Sequence, residues 1–468
     1  MRAESGFDCR QFLRRFHFYR EQAMMCMQMN FKYMQAALCV LLASVFAASA
    51  EEPEPPAAAQ VLSLADAVNL ALENNLDIRR SENSVGLLKT KDKYSWNSVS
   101  PSINLNGSFA DNFEADTTSF SLSGSLGISL SPNLYASIRG ARLNYEQGLI
   151  SYEQTVRTVE LNVRKAFYGL LYEQENIALQ KRSLATSEAQ YRQNQEKFRR
   201  GQIPELDVMT SRVSYEQKKP AVEAAETAFL NDLASFKQII GMDQQTDVSL
   251  SGSLDDVLNV RKIELPPADK PAPNVQLAEK SVEIAQNGLL SSRFGSYAPS
   301  LSLGYQYGKT YGNSMSADYD WATVNSLSVG VQIPLDGWLP WSAGAVSVAS
   351  AKTNVADAQL QLENAMETTA VQTESCMRKI TQAISQVDSL RSTVELAERT
   401  YSMTETAYNY GKTDLMSLLN ASDSVLSASV SLKQQAYTLV SAILDLESLL
   451  GVPFGTIGIP QAEAERAE

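Results

Sequence analysis

Histidine and cysteine are almost absent from this 468-residue sequence, which holds one histidine, His17, and four cysteines, Cys9, Cys26, Cys39 and Cys376. Four of those five residues fall within the first 39 positions, so the body of the chain has no histidine and a single thiol. That distribution excludes Ser-His-Asp and Cys-His catalysis, histidine-ligated metals and intrachain disulfides there. Phosphate-cradling loops are missing too. The Gly-Lys-Thr triplets at 308–310 and 411–413 both lack the glycine that a P-loop carries five residues earlier. Scattered carboxylates such as Asp255 and Asp256 read as solvated surface rather than an acid–base pair. Positive charge is scarce, with 40 Lys and Arg against 53 Asp and Glu, which argues against nucleic acid as a partner. Beyond residue 50 no apolar run reaches the roughly 18 residues of a membrane-spanning helix. The expectation is a protein without cofactor, metal or enzymatic activity.

What the first fifty residues do contain is an address. Residues 36–50 read AALCVLLASVFAASA, with Lys32 ahead of them and the small-residue triplet Ala48-Ser49-Ala50 behind. This is the order of a secretory signal peptide, and a start at Met29 would give it 22 residues. Cleavage after Ala50 is expected, leaving Glu51 first; lipidation at Cys39 is the alternative.

The remainder is two copies of one plan. Residues 191–241 align without a gap on 401–451 at an offset of 210, pairing Tyr191 with Tyr401, Gly201 with Gly411 and Gly241 with Gly451. Upstream, the SPSINL of residues 100–105 matches the APSLSL of 298–303. The copies are expected at 51–265 and 274–455, joined by a Pro-rich linker at 266–273 and followed by a tail at 456–468.

Each copy contains one very long helix. Leu149, Val156, Val163, Leu170, Ile177, Leu184, Tyr191 and Phe198 recur at intervals of seven. The second copy repeats the stripe with Met366, Ile380, Val387, Val394, Tyr401 and Tyr408, broken once by Thr373. A strict seven-residue apolar repeat is the seam of a left-handed supercoil. Helices over 140–198 and 342–409 follow, the first about 88 Å long at ~1.5 Å per residue. Both end in tips, at 199–206 and 410–414, that fold the chain back. Gly201 and Gly411 suit a left-handed cap, Pro204 stops continuation, and Asp414 suits the N-cap of the second return helix.

The other element of each copy is a β-hairpin, at 101–131 and 299–334. Phe120, Leu122, Leu126, Ile128 and Leu130 alternate with serines, and Leu327, Val329, Val331 and Ile333 alternate with Ser326, Ser328, Gly330 and Gln332. Alternation alone fits any half-buried sheet. The four tryptophans suggest more: Trp96 precedes the first strand, Trp321 is expected between the third and fourth, and Trp338 and Trp341 follow the fourth. Together they resemble the two aromatic belts of a transmembrane barrel. Four strands cannot close a barrel, and bare edges in hydrocarbon leave backbone groups unsatisfied. Oligomerisation is therefore expected, with eight strands from two chains or twelve from three.

At this point the chain resembles the TolC-like outer-membrane efflux channels. The carriers are LSLADAVNLALENN at 62–75, PSINLNG at 101–107, KFRRGQIPELDVMTSRVSYEQ at 197–217, IPLDGW at 333–338 and GVPFG at 451–455. The resemblance implies an α+β membrane protein of the outer membrane: a homotrimer whose hairpins pool into one twelve-stranded β-barrel, with a helical barrel in the periplasm. It further implies docking on a periplasmic adaptor and an inner-membrane transporter, passive export of small molecules or secreted protein, and a gate at the tips. Gly201, Pro204, Asp207, Gly411, Asp414, Ser417 and Asn420 are the tip positions so assigned. In some members aspartates ring the closed mouth; the matching positions here are Ser417 and Asn420, and Asp207, the first-copy counterpart of Ser417, is the candidate substitute. The competing reading is a periplasmic coiled-coil structural protein without channel activity, which gives the tryptophans no role.

Overall fold

The computed structural model describes residues 60–112, 117–255, 271–314 and 317–457. The expected signal segment, Glu51, residues 266–270 of the linker and 458–468 of the tail lie outside the described residues. From Val61 onward the chain is one compact unit.

The opening LSLADAVNLALENN forms two capped helices. In α1 (Leu64–Asn74) the Asp66 amide donates to the Ser63 hydroxyl at 3.2 Å while the Asp66 carboxylate accepts the Ser63 amide, a reciprocal capping box. In α2 (Leu76–Lys93) Asn75 accepts the Asp77 amide at 2.8 Å, and its own amide donates to the Ile239 carbonyl. Two short strands, β1 (Gln60–Leu62) and a later β4 (Val248–Leu250), pair beside them.

Next come β2 (Ser102–Asn112) and β3 (Thr117–Leu130), then α3 (Asn133–Arg199) and α4 (Glu205–Ile240). The second copy repeats them as α5 (Pro273–Tyr297), β5 (Ser300–Ser314), β6 (Ala317–Gln332), α6 (Ala343–Asn409) and α7 (Leu415–Leu450). Both ends of α3 and of α4 match α6 and α7 at the offset of 210 found in the sequence. All four strands form one antiparallel sheet in the order β2-β3-β5-β6.

The long helices have 67 residues each, about 100 Å at ~1.5 Å per residue. Helix α3 starts seven residues before the position read from its heptads. The reason is that its first turns carry small residues rather than a stripe: Asn287 of α5 donates to the Ala136 carbonyl at 2.8 Å, and a Cβ on Gly140 would lie 3.0 Å from the same amide nitrogen. The one polar lapse in the second stripe is accommodated locally, since the Thr373 hydroxyl donates to the Thr369 carbonyl at 2.8 Å. Helix α4 runs through Pro220, which has no amide hydrogen to reach the preceding turn, whereas α7 has Val430 at that place.

The larger core lies at the middle of the long helices, and a smaller one of Tyr408, Leu415 and Leu418 lies at the tip. In the larger core Val163, Phe167 and Leu170 of α3 and Ile380, Ala383 and Val387 of α6 are buried against Phe236 and Ile240 of α4 and Leu439, Val440 and Ile443 of α7. Burying such side chains contributes about 1.5–3 kcal/mol each. Charged ties across the copies surround it: Lys433 reaches Glu175 at 2.8 Å and Asp255 at 2.7 Å, and Lys218 reaches Asp423 at 2.9 Å. The carboxylate of Glu447, fully buried in α7, accepts the Gly455 and Ile457 amides at 2.9 and 2.7 Å and anchors the chain after the last helix.

Glu173 of α3 faces Asp232 of α4 beside Tyr172 and Tyr437. Burial, and then the Asp232 carboxyl, push it up to about 7 from its ordinary 4.5. The native state thus holds a proton that the unfolded chain releases at lower pH, so the associated stability is full below about 4.5 and is lost as pH rises through about 7. Glu173→Gln should therefore raise the melting temperature near pH 8 and leave it little changed near pH 5. Equal effects at both pH values, measured by thermal unfolding, would refute this linkage.

Candidate functional site

The sheet has two unlike faces because paired residues on antiparallel strands project to the same side. On one face Ile103 pairs with Leu126, Leu126 with Tyr305, and Tyr305 with Leu327. Leu303 likewise stands between Ile128 and Val329. On the other face Asn104, Ser125, Gln306 and Ser326 make one row, and Ser108, Ser121, Thr310 and Ala322 another. Hydroxyls on this second face bond within it, Ser108 to Ser121 at 2.7 Å. The apolar face is bare: Ile103 is 78% exposed and Val331 67%.

Aromatic residues cluster toward both ends of this face. Phe109, Phe120, Tyr311 and Trp321 stand in one row across the four strands, with Trp321 5.2 Å from Tyr311 and 6.4 Å from Phe120 between ring centres. Trp321 thus lies within β6 rather than in a loop between strands. The ladder runs on past it to the pairs Asn112–Thr117 and Ser314–Ala317, in strands of 11 to 16 residues. Trp96 sits in a 3₁₀ turn over Ser95–Val99 and Trp338 in another over Asp336–Trp338, both exposed where strands meet helices. Trp338 packs on Tyr297 at 5.4 Å, and Trp341 is 78% exposed. From Trp321 to Ile333, at ~3.3 Å per residue and ~45° tilt, the rise is about 28 Å, close to the ~25 Å apolar band of outer-membrane barrels.

The tips are twin caps. Gly201 and Gly411 have φ of 70° and 68°. The Gln202 amide reaches the Lys197 carbonyl and the Lys412 amide the Ala407 carbonyl, both at 2.9 Å, closing the last turn by the Schellman pattern. Pro204 and Asp414 hold the N-cap positions of α4 and α7, so Glu205 and Leu206, assigned to the tip from sequence, belong to the helix. The Ser417 hydroxyl donates to the Asp414 carboxylate, which holds that carboxyl below its usual range. Ser417 and Asn420 are exposed, three residues apart on α7.

Asp207 lies elsewhere. It is half-buried in the first turn of α4, close enough to Tyr408 of α6 for its charge to add to burial in raising the tyrosine's pKa. The Tyr408 hydroxyl donates to Asn194 at 2.9 Å, Lys197 stands 4.5 Å over the Tyr408 ring, and Gln193 and Lys197 both donate to Asn409. This polar clasp joins the ends of α3 and α6. Sequence reading took Tyr408 only as a seam residue; the one available signal was the repeat alignment, which sets it against Phe198 and so marks an added hydroxyl.

Among the described residues no group of His, Cys, Asp and Glu is arranged to hold a metal, and no helix is long and apolar enough to cross a membrane.

A family model described as outer membrane efflux protein matches residues 67–242 and 268–452. The outer membrane protein TolC of Escherichia coli is 23% identical over 329 residues, covering 64% of this chain and 63% of that protein, so the match spans less than two thirds of that relative. TolC of Vibrio cholerae is 21% identical over 337 residues, covering 70% and 76%. In structure, the CmeC outer membrane channel of Campylobacter jejuni superimposes with a TM-score of 0.69 at 19% identity, over 83% of this chain and 85% of that one.

The two faces make opposite demands on a charge. Arg at Leu126, near the middle of the bare face, should cost about 2–4 kcal/mol if that face meets hydrocarbon. Arg at Ser125, on the serine face, should be tolerated. Equal losses in unfolding experiments from lipid vesicles would show that the bare face does not contact lipid.

Proposed function

We propose that this chain, which belongs to the outer membrane efflux protein family, assembles as a homotrimer in which three four-stranded sheets close one twelve-stranded barrel. Its place is the outer membrane. The observation that carries the assembly is the sheet itself: an apolar face open to the surroundings, with β2 and β6 both left as unpaired edges. In hydrocarbon every unpaired backbone group costs several kcal/mol, and edge-to-edge joining of identical sheets removes all of them. The serine face then lines a polar lumen.

The helices extend the duct away from the sheet through the periplasm. The tips, at the far ends of helices about 100 Å long, meet an adaptor and, through it, an inner-membrane transporter. Flux through the duct is passive, and energy comes from the transporter. Opening is controlled at the tips: Gly201, Pro204 and Asp207 in one copy, Gly411, Asp414, Ser417 and Asn420 in the other. Three copies of Asp207 around one axis would attract divalent cations, most strongly at low salt where screening is weak. The clasp of Asn194, Lys197 and Tyr408 beside Asp207 keeps the two long helices together in the closed arrangement.

Purified in detergent, the protein should run as a trimer and conduct ions in planar bilayers; a stable monomer without conductance would favour the structural-protein reading. Divalent cations should block wild type several-fold more strongly than Asp207→Asn, and equal block would leave Asp207 as a helix-start residue only. With Cys376 replaced by Ser, Ser417→Cys should crosslink between subunits and stop export.

A further inference from the structure

The four strands contain a single Lys or Arg among the described residues, Lys309, and it lies on the apolar face, paired with Leu122 and Thr323. It borders a groove of about 570 Å³ cut into that face. Ile103, Leu105, Leu122, Leu126 and Tyr305 form the groove's walls, and Gly124 leaves its floor open, the nearest atom to an added Cβ being the Tyr307 carbonyl oxygen at 3.9 Å. Lys309 and Trp321 stand together at the end toward the hairpin tips. The groove lies over the central strands β3 and β5 and is bounded by Ile103 and Leu105 of β2 and Trp321 of β6. Pairing of β2 and β6 with neighbours takes place through backbone groups in the plane of the sheet and leaves the groove's face open.

We infer that this groove is a specific lipid site: it takes an acyl chain of a phosphate-bearing lipid of the outer leaflet, with Lys309 as partner of the headgroup phosphate. This rests on the membrane reading of the sheet given above. A cation among hydrocarbon-facing side chains is expensive unless it reaches water or an anion. Lys309 is two residues, about 7 Å, from Tyr311 in the aromatic row, and a lysine stem can carry its ammonium that far to the headgroup level. The Trp321 end of the sheet is opposite the end where the strands join the helices, so in the proposed orientation the headgroups there belong to the outer leaflet. Generic lipid would need neither a groove nor a charge; an apolar slot of this size, within the ~300–1,000 Å³ range of ligand sites, with one cation at its mouth matches a lipid with an anionic head.

The test uses the detergent-purified full-length assembly loaded with lipid A or with its dephosphorylated form, counting retained lipid by native mass spectrometry. Wild type should retain the phosphorylated lipid about five-fold better. Lys309→Gln should bring that ratio close to one while Lys309→Arg preserves it. Gly124→Leu, which fills the groove floor, should lower retention of both lipids. A ratio near one in wild type, or an unchanged ratio in Lys309→Gln, overturns the site. Conductance of the same preparation is read in parallel: its absence in every variant would count against the channel reading, whereas intact conductance without lipid preference counts against the lipid site alone.

Discussion

Two strand edges organise everything else in this molecule. A four-stranded antiparallel sheet with a bare apolar face has nowhere to hide the backbone groups of its outer strands, β2 and β6. Water would satisfy those groups but would not accept the face; lipid accepts the face but not the groups. In the proposed assembly further copies of the same sheet answer both demands. The duplication answers a related problem, since one hairpin alone presents two edges for two strands, while joining two hairpins through β3 and β5 halves the number of edges that assembly must close.

The helical part is built under a different rule. Complete burial is concentrated around Phe167 and Ile380, and falls off along the seams until Leu149 and Phe198 are 36% and 41% exposed. Toward the ends of the long helices polar contacts join smaller apolar clusters: the Asn194–Tyr408 hydrogen bond and Lys197 lie beside buried Tyr408, Leu415 and Leu418 at one end, and Asn287 bonds the Ala136 carbonyl at the other. Regions with few buried apolar contacts are those that open at low free-energy cost.

Features carried by repetition were legible in the amino-acid sequence. The gapless offset of 210 over 191–241 and 401–451 located the ends of α3 and α6 and the return helices α4 and α7 as matched pairs, and Gly201 and Gly411 marked caps whose φ values agree within two degrees. Alternation foretold which strand residues share a face. What escaped was whatever depends on a single non-local pairing. The first turns of α3 pack through an Asn287 amide on the Ala136 carbonyl and through small residues such as Gly140, and a seven-residue apolar pattern reveals neither. Trp321, expected between the third and fourth strands, instead pairs with Tyr311 inside the ladder, a cross-strand partner that alternation within one strand does not reveal. The raised pKa of Glu173 left no trace in composition, since it comes from burial and from an Asp232 that lies on another helix.

The placement of the core at mid-helix makes each long helix a lever. From Phe167 to the end of α3 at Arg199 there are 32 residues, about 48 Å of rigid rod beyond the fulcrum. Tilting such an arm by about 5° displaces its end by about 4 Å, more than the length of a hydrogen bond. A rearrangement too small to disturb the packed girdle is thus magnified where the chain turns back on itself, so the turn can shift by ångströms while the centre keeps its contacts.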